Sequence, residues 1–240
     1  MSEALQKLFE HGTKWVRADF HLHTRADKEF RYDGDADRFV ASYVEALEAN
    51  GTRLAVITNH NKFDLEEFKA LRKRARKFGI GVLPGVELSV KDGANGVHTL
   101  VVFSEAWLAD GQDYINQFLG VAFAGKVPAQ YEQENGRSND DLIETLRKLE
   151  SYNRDFFIIF AHVEANSGLW KELSGEWANL PLSRSFKNMP LASRRSAPMT
   201  SRMAFAARRS RAGGAITIQP KWKALMQKKF LKSAKVRRFI

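Results

Sequence analysis

Residues 53–79 read RLAVITNHNKFDLEEFKALRKRARKFG. Arg53 to Thr58 is an apolar run of strand length, buried on both faces. Asp64 then caps a helix that runs to Phe78, and Gly79 stops it. Strand, polar turn and helix in that order make one βα unit. His60 stands at its strand end, the position where α/β proteins assemble their sites.

The same pattern extends in both directions. Trp15 to His23 predicts a strand ending in polar residues. Asp37 to Asn50 predicts an amphipathic helix, with Phe39, Val40, Tyr43, Val44 and Leu47 at helical spacing and Asn50-Gly51 as its stop. Ile80 to Leu88, His98 to Phe103 and Phe156 to His162 predict further strands. Asn139 to Ser151 predicts a helix, with Asp140 and Asp141 at its positive N-terminal end. The expected fold of residues 1–175 is α/β, a mostly parallel sheet with helices outside it. Beyond Gly175 neither periodicity persists. Residues 176–240 are expected to form a basic tail of low order, in which only Trp222 to Ile240 suits a helix.

The 240 residues contain no cysteine, which excludes disulfides, thiolate metal sites and a cysteine nucleophile. No secretory signal or membrane-spanning run stands out, so a cytoplasmic location without a membrane partner is expected. The net charge of +10 suggests nucleic acid until its distribution is considered. Residues 176–240 hold 16 Lys and Arg against one acidic residue, Glu176, while residues 1–175 hold 22 basic against 27 acidic. The positive charge belongs to the tail. The run RKRARKF at 72–78 is most simply a solvated helix face.

Five of the six histidines fall at or near predicted strand boundaries: His21 and His23 in DFHLHT, His60 in ITNHN, His98 in GVHTL and His162 in FAHVEAN. Only His11 lies outside the set, and Glu87 in LPGVELS occupies an equivalent place. Residues i and i+2 of a strand share a face, so the H-x-H pair can grip one ion. Imidazoles with a carboxylate suit Zn²⁺, Mn²⁺ or Fe²⁺, and Glu87 has two oxygens with which to bridge a pair of ions. Such a centre acidifies a bound water and holds phosphate oxygens, which is metal-assisted phosphoester hydrolysis by a metal-bound hydroxide. No protein side chain need attack. Asp19 and Asn59 fit supporting roles around the ligands. Arg25 and Lys91 are candidates to meet a substrate phosphate.

Taken together, DFHLHT, ITNHN, GVELS, GVHTL and FAHVEAN resemble the successive motifs of the PHP (polymerase and histidinol phosphatase) superfamily, from about Trp15 to Leu173. The wording WVRADFHLHT, AVITNHN and HVEANSGLWKEL looks most like the PHP domain that opens TrlF-type proteins, where an SMC- or ABC-like ATPase region follows. The resemblance implies a distorted (β/α)7 barrel and a metal-dependent phosphoesterase with two or three divalent metals. It implies His21, His23, His60, Glu87, His98 and His162 as ligands, and a phosphorylated substrate, nucleotide or nucleic acid. It also implies an aspartate ligand after the first motif, for which Asp27 and Asp33 compete. The usual T-D-H of the second motif is T-N-H here, with Asn59 in place of aspartate.

The final Asp-x-His motif of that superfamily is absent from residues 176–240. Read one nucleotide earlier, Leu191 to Ala207 can encode GFQKVRTNDVPNGVC and Gly214 to Gln219 can encode GSDNH, strings that resemble TrlF-type sequence. The expectation is a frameshift near Gly175, a barrel incomplete at its C-terminal end and impaired activity. The other readings are a nucleic-acid-binding module built on the tail's lysines, and a scaffolding PHP domain without catalysis.

Overall fold

The computed structural model describes residues 15–93, 96–133 and 136–163, together with two short strands at 207–209 and 216–218. Five strands form one sheet in the order β1 (Arg17–Leu22), β2 (Thr52–Ile57), β3 (Gly81–Val90), β4 (Val97–Phe103) and β5 (Phe156–Phe160). β1, β2 and β3 pair in parallel. β4 is antiparallel to both of its neighbours. The sheet is therefore mixed, and the expected run of βα units is interrupted. A six-residue connection joins β3 directly to β4, too short for the crossover that a parallel pair requires.

Helix α1 (Phe39–Ala49) joins β1 to β2, and α2 (Leu65–Arg76) joins β2 to β3. Asp64 caps α2 as expected, accepting from the Glu67 N–H at 2.9 Å. Between β4 and β5 lie a 3₁₀ turn (Glu105–Leu108), α3 (Tyr114–Ala122), α4 (Pro128–Tyr131) and α5 (Leu142–Ser151). The sequence reading names no element between Phe103 and Asn139, so the turn, α3 and α4 are additions to it. α5 starts at Leu142 rather than Asn139, because Asp141 is its cap and accepts from the Glu144 N–H. Within the tail, two three-residue strands, β6 (Ala207–Arg209) and β7 (Ile216–Ile218), pair antiparallel. His11, residues 164–206 and the proposed helix at 222–240 lie outside the described residues. No helix among the described residues is long and apolar enough to cross a membrane.

Two apolar layers lie on the faces of the sheet. The larger contains the helices and includes Phe39, Phe68, Leu71, Trp107, Phe118 and Leu146. The smaller is made of Ala18, Phe20, Leu54, Val56, Leu100, Val102, Phe157, Ile159 and Ala161. Side chains alternate along a strand, so Glu87 and Ser89 share a face with Leu83, and His98 shares one with Leu100 and Val102. The second face thus passes from an apolar floor to ionisable groups at the edge where β1, β2, β3 and β5 end. Because β4 runs the other way, it delivers its first residues to that edge.

Gly85 lies on this face between the floor and Glu87. A Cβ there would come within 2.8 Å of Val56 Cγ1, 2.9 Å of Thr58 Cγ2 and 3.0 Å of the Val101 carbonyl oxygen. Those methyls belong to β-branched side chains that cannot swing aside cheaply. Gly85→Ala is expected to destabilise the chain by about 1–3 kcal/mol. Gly120, on the exposed side of α3, is the contrasting case, because a Cβ added there would meet nothing within 4 Å. Gly120→Ala should stabilise the chain by about 0.5–1 kcal/mol. Urea titrations of the two variants should move the midpoint in opposite directions.

Candidate metal centre

Glu87 is only 1% exposed, and imidazoles crowd both of its oxygens. Oε2 lies 2.6 Å from His21 Nε2 and 3.3 Å from His23 Nε2. Oε1 lies 2.9 Å from His98 Nδ1 and 3.7 Å from His162 Nε2. His60 completes the group: it forms a bridge with Glu87 along the parallel strands, and its ring packs edge-on to His98 with centroids 4.7 Å apart. The structure therefore brings together all six residues that the sequence singled out.

Local backbone structure explains the convergence. His21 lies in β1 and His23 just past its end, with ring centroids 5.0 Å apart. His98 is the second residue of β4 and pairs in register with Ser89. Ala161 is tied to the His98 carbonyl by its N–H at 3.0 Å. His162 then takes a left-handed conformation, φ 46°, which turns the chain at the end of β5. Such backbone angles are uncommon outside glycine, although His and Asn adopt them more readily than most.

Asp27 and Asp33 are placed very differently. Asp27 is buried, 2.6 Å from His23 Nδ1, and accepts the backbone N–H groups of His60 at 2.6 Å and Glu29 at 2.9 Å. Asp33 is exposed. By holding His23 Nδ1, Asp27 leaves Nε2 to face Glu87, the arrangement by which carboxylates orient ligating imidazoles. Asp19 accepts the His21 backbone N–H. Asn59 pairs with Thr24, accepting its N–H at 2.8 Å, and so braces the loop after β1.

Arg25 and Lys91 are engaged elsewhere. Arg25 donates to Glu67 and to the Ala36 carbonyl, and lies over the Phe39 ring. Lys91 lines an acidic pocket with Asp92, Asn139, Asp140, Asp141 and Glu144.

Sequence reading missed two supports. Ser89 Oγ lies 3.1 Å from His60 Nε2, and its i+2 relation to Glu87 was the available signal. Asn61, with φ 50°, accepts the Ser89 N–H and donates to the carbonyls of Tyr131 and Gly136. Nothing local in the sequence marks that long-range role.

The charges are strongly coupled. Burial acts to raise the Glu87 pKa, but hydrogen bonds from His21, His23 and His98 outweigh it and hold the carboxyl far below its usual range. Burial likewise opposes a charge on His23, yet Asp27 and Glu87 push its pKa up to about 10. Burial lowers His60 and His162, against the attraction of Glu87. Burial acts to raise Asp27, and its contacts with His23 and two backbone N–H groups lower it.

The donor set fits divalent metal ions. Two groups place ligand atoms within 4.8 Å of one another, His21 with Glu87 and His162, and His60 with Glu87 and His98, and Glu87 belongs to both. His60 Nδ1 is buried with no hydrogen-bond partner. Glu29 Oε1 stands 3.6 Å from it, beyond hydrogen-bonding reach. A buried lone pair or N–H without a partner is costly, and a cation would satisfy the lone pair.

No protein-family model matches the chain, and no curated protein matches it. Among solved structures it is similar to a provisionally described metal-dependent phosphoesterase from Bifidobacterium adolescentis. The identity is 14% and the TM-score 0.33, over 72% of this chain and 53% of that one. The chain thus spans about half the length of that protein. Similarity at this level defines neither a common fold nor a common activity.

The shifted groups predict a two-sided pH profile for the metal-free chain. Below about pH 6.5 the unfolded chain takes up protons that folded His60 and His162 resist, and below about 4.5 Glu87 adds to the loss. The His23 contribution is complete below about 6.5 and is lost as pH rises through about 10. Thermal unfolding in EDTA should peak near neutral pH, and His23→Ala should flatten the alkaline limb.

Proposed function

We propose that the chain is a PHP-type metal-dependent phosphoesterase. The observation that supports this most is a buried carboxylate, Glu87, whose two oxygens face different imidazoles and which belongs to both candidate ligand groups. His21, His23, His60, Glu87, His98 and His162 would hold two divalent ions, of which zinc, manganese and iron suit the donors. Bound there, such ions supply Lewis acidity toward phosphoryl oxygens and an activated water. The protein's own part is to fix the ligands: Asp27 orients His23, Ser89 holds His60, and Asn59 with Thr24 secures the loop between them.

The substrate class we infer is a nucleotide or a nucleic-acid end, with an ATPase region as the functional partner. Both rest on the resemblance of the strand-end motifs to TrlF-type proteins. A third metal and the missing Asp-x-His motif belong to the same reading, and low turnover is expected from this chain.

Elemental analysis after loading with Zn²⁺ or Mn²⁺ should find at least two ions per chain, and Glu87→Gln should lower occupancy of both positions. A wild-type chain that retains no metal overturns the proposal and favours a scaffold. Asp27→Ala should weaken metal binding by about 10- to 100-fold, whereas Asp33→Ala should leave it unchanged. With Mn²⁺, hydrolysis of p-nitrophenyl phosphate should be weak. Brisk turnover that survives deletion of residues 176–240 would contradict the expected impairment.

A further inference from the structure

Two of the loops that contribute to the imidazole cluster, those after β1 and β2, also present two ammonium groups outside it. Lys28 follows Asp27, and Lys62 lies two residues beyond His60. Their Nζ atoms stand 3.4 Å and 3.5 Å from opposite oxygens of one carboxylate, Glu132. The Glu132 side chain is 13% exposed, against 55% for Lys28 and 37% for Lys62. Glu132 directly follows α4, in a segment that Asn61 fastens through the carbonyls of Tyr131 and Gly136. One anion position, bounded by two cations from the loops of the candidate centre, is thus filled by the protein's own carboxylate. The three groups together retain one positive charge in excess.

We propose that Lys28 and Lys62 anchor a phosphoryl group of the substrate, which displaces the Glu132 carboxylate from between them. This deepens the phosphoesterase reading and rests on it for the identity of the substrate. A phosphate monoester carries a charge of about −1.5 to −2 near neutral pH, so it neutralises two ammonium groups more fully than a single carboxylate does. Lysine on its flexible stem binds phosphate as a point charge and can follow the exchange of anions. Arg25 and Lys91, candidates in the sequence for a phosphate contact or simple solvated charges, are turned to Glu67 and to the acidic pocket near α5.

The test measures the dissociation constant of inorganic phosphate by calorimetry on the full chain loaded with Mn²⁺, with metal content determined in parallel. Lys28→Ala combined with Lys62→Ala should weaken phosphate binding roughly tenfold or more, at unchanged metal content. Glu132→Gln should tighten it several-fold. If the ion pairs merely fasten the α4 segment, Glu132→Gln should instead weaken binding along with the lysine variant, and that result overturns the inference. The same charge change made on α2, by Lys69→Ala with Lys73→Ala, should leave the constant unaltered; an equal loss there reduces the effect to net charge and also overturns it. A chain that binds metal but no phosphate rejects this inference alone. A chain that binds no metal, yet binds phosphate through these lysines, rejects the metal reading and keeps the anion site.

Discussion

A carboxylate removed from water stays ionised only where donors or cations replace the hydration it has lost. Glu87 sits in that position, near the middle of a sheet whose neighbouring strands are buried. Four imidazoles meet its two oxygens within 3.7 Å. The surrounding strand ends can be understood as the means of delivering those groups to one point. Removing any one of these imidazoles leaves part of a buried charge unmatched, so the cluster behaves as a unit and not as four separate contacts.

Delivery depends on strand direction as much as on strand order. Three parallel strands bring His21, His23, His60 and Glu87 to one edge, because in each case the ionisable residue stands near the C-terminal end. His98 is the second residue of its strand, and in a parallel arrangement it would lie at the opposite edge. The tight β3–β4 connection reverses β4 and places His98 beside Ser89. β5 then runs back antiparallel, and His162 emerges at the same edge through its left-handed turn.

Around these candidate ligands, hydrogen bonds limit how the loops can move. Asp27 joins the loop after β1 to the His60 backbone. Asn59 grips Thr24, and Thr24 and Arg25 both donate to Glu67 at the first turn of α2. Asn61 links β3 to the last residue of α4 and to Gly136 beyond it. The two apolar layers make the strands rigid, and these polar ties carry that rigidity out to the imidazoles gathered around Glu87.

Strands β1 to β5 and helices α1, α2 and α5 were legible in the sequence because each is set by local periodicity and end signals: the Asp64 cap, the Gly79 stop, the apolar run of Arg53 to Thr58. The six candidate ligands were legible because chemistry restricts which residue types stand at strand ends in such numbers. Three things were decided only by the tertiary structure. The place of β4 between β3 and β5 depends on which strands pair, which no local pattern encodes. The different placement of Asp27 and Asp33 depends on burial, since both lie in one polar loop and only Asp27 reaches His23. The meeting of Lys28, Lys62 and Glu132 joins residues about seventy to a hundred positions apart, and such a contact exists only once the sheet has brought its loops together.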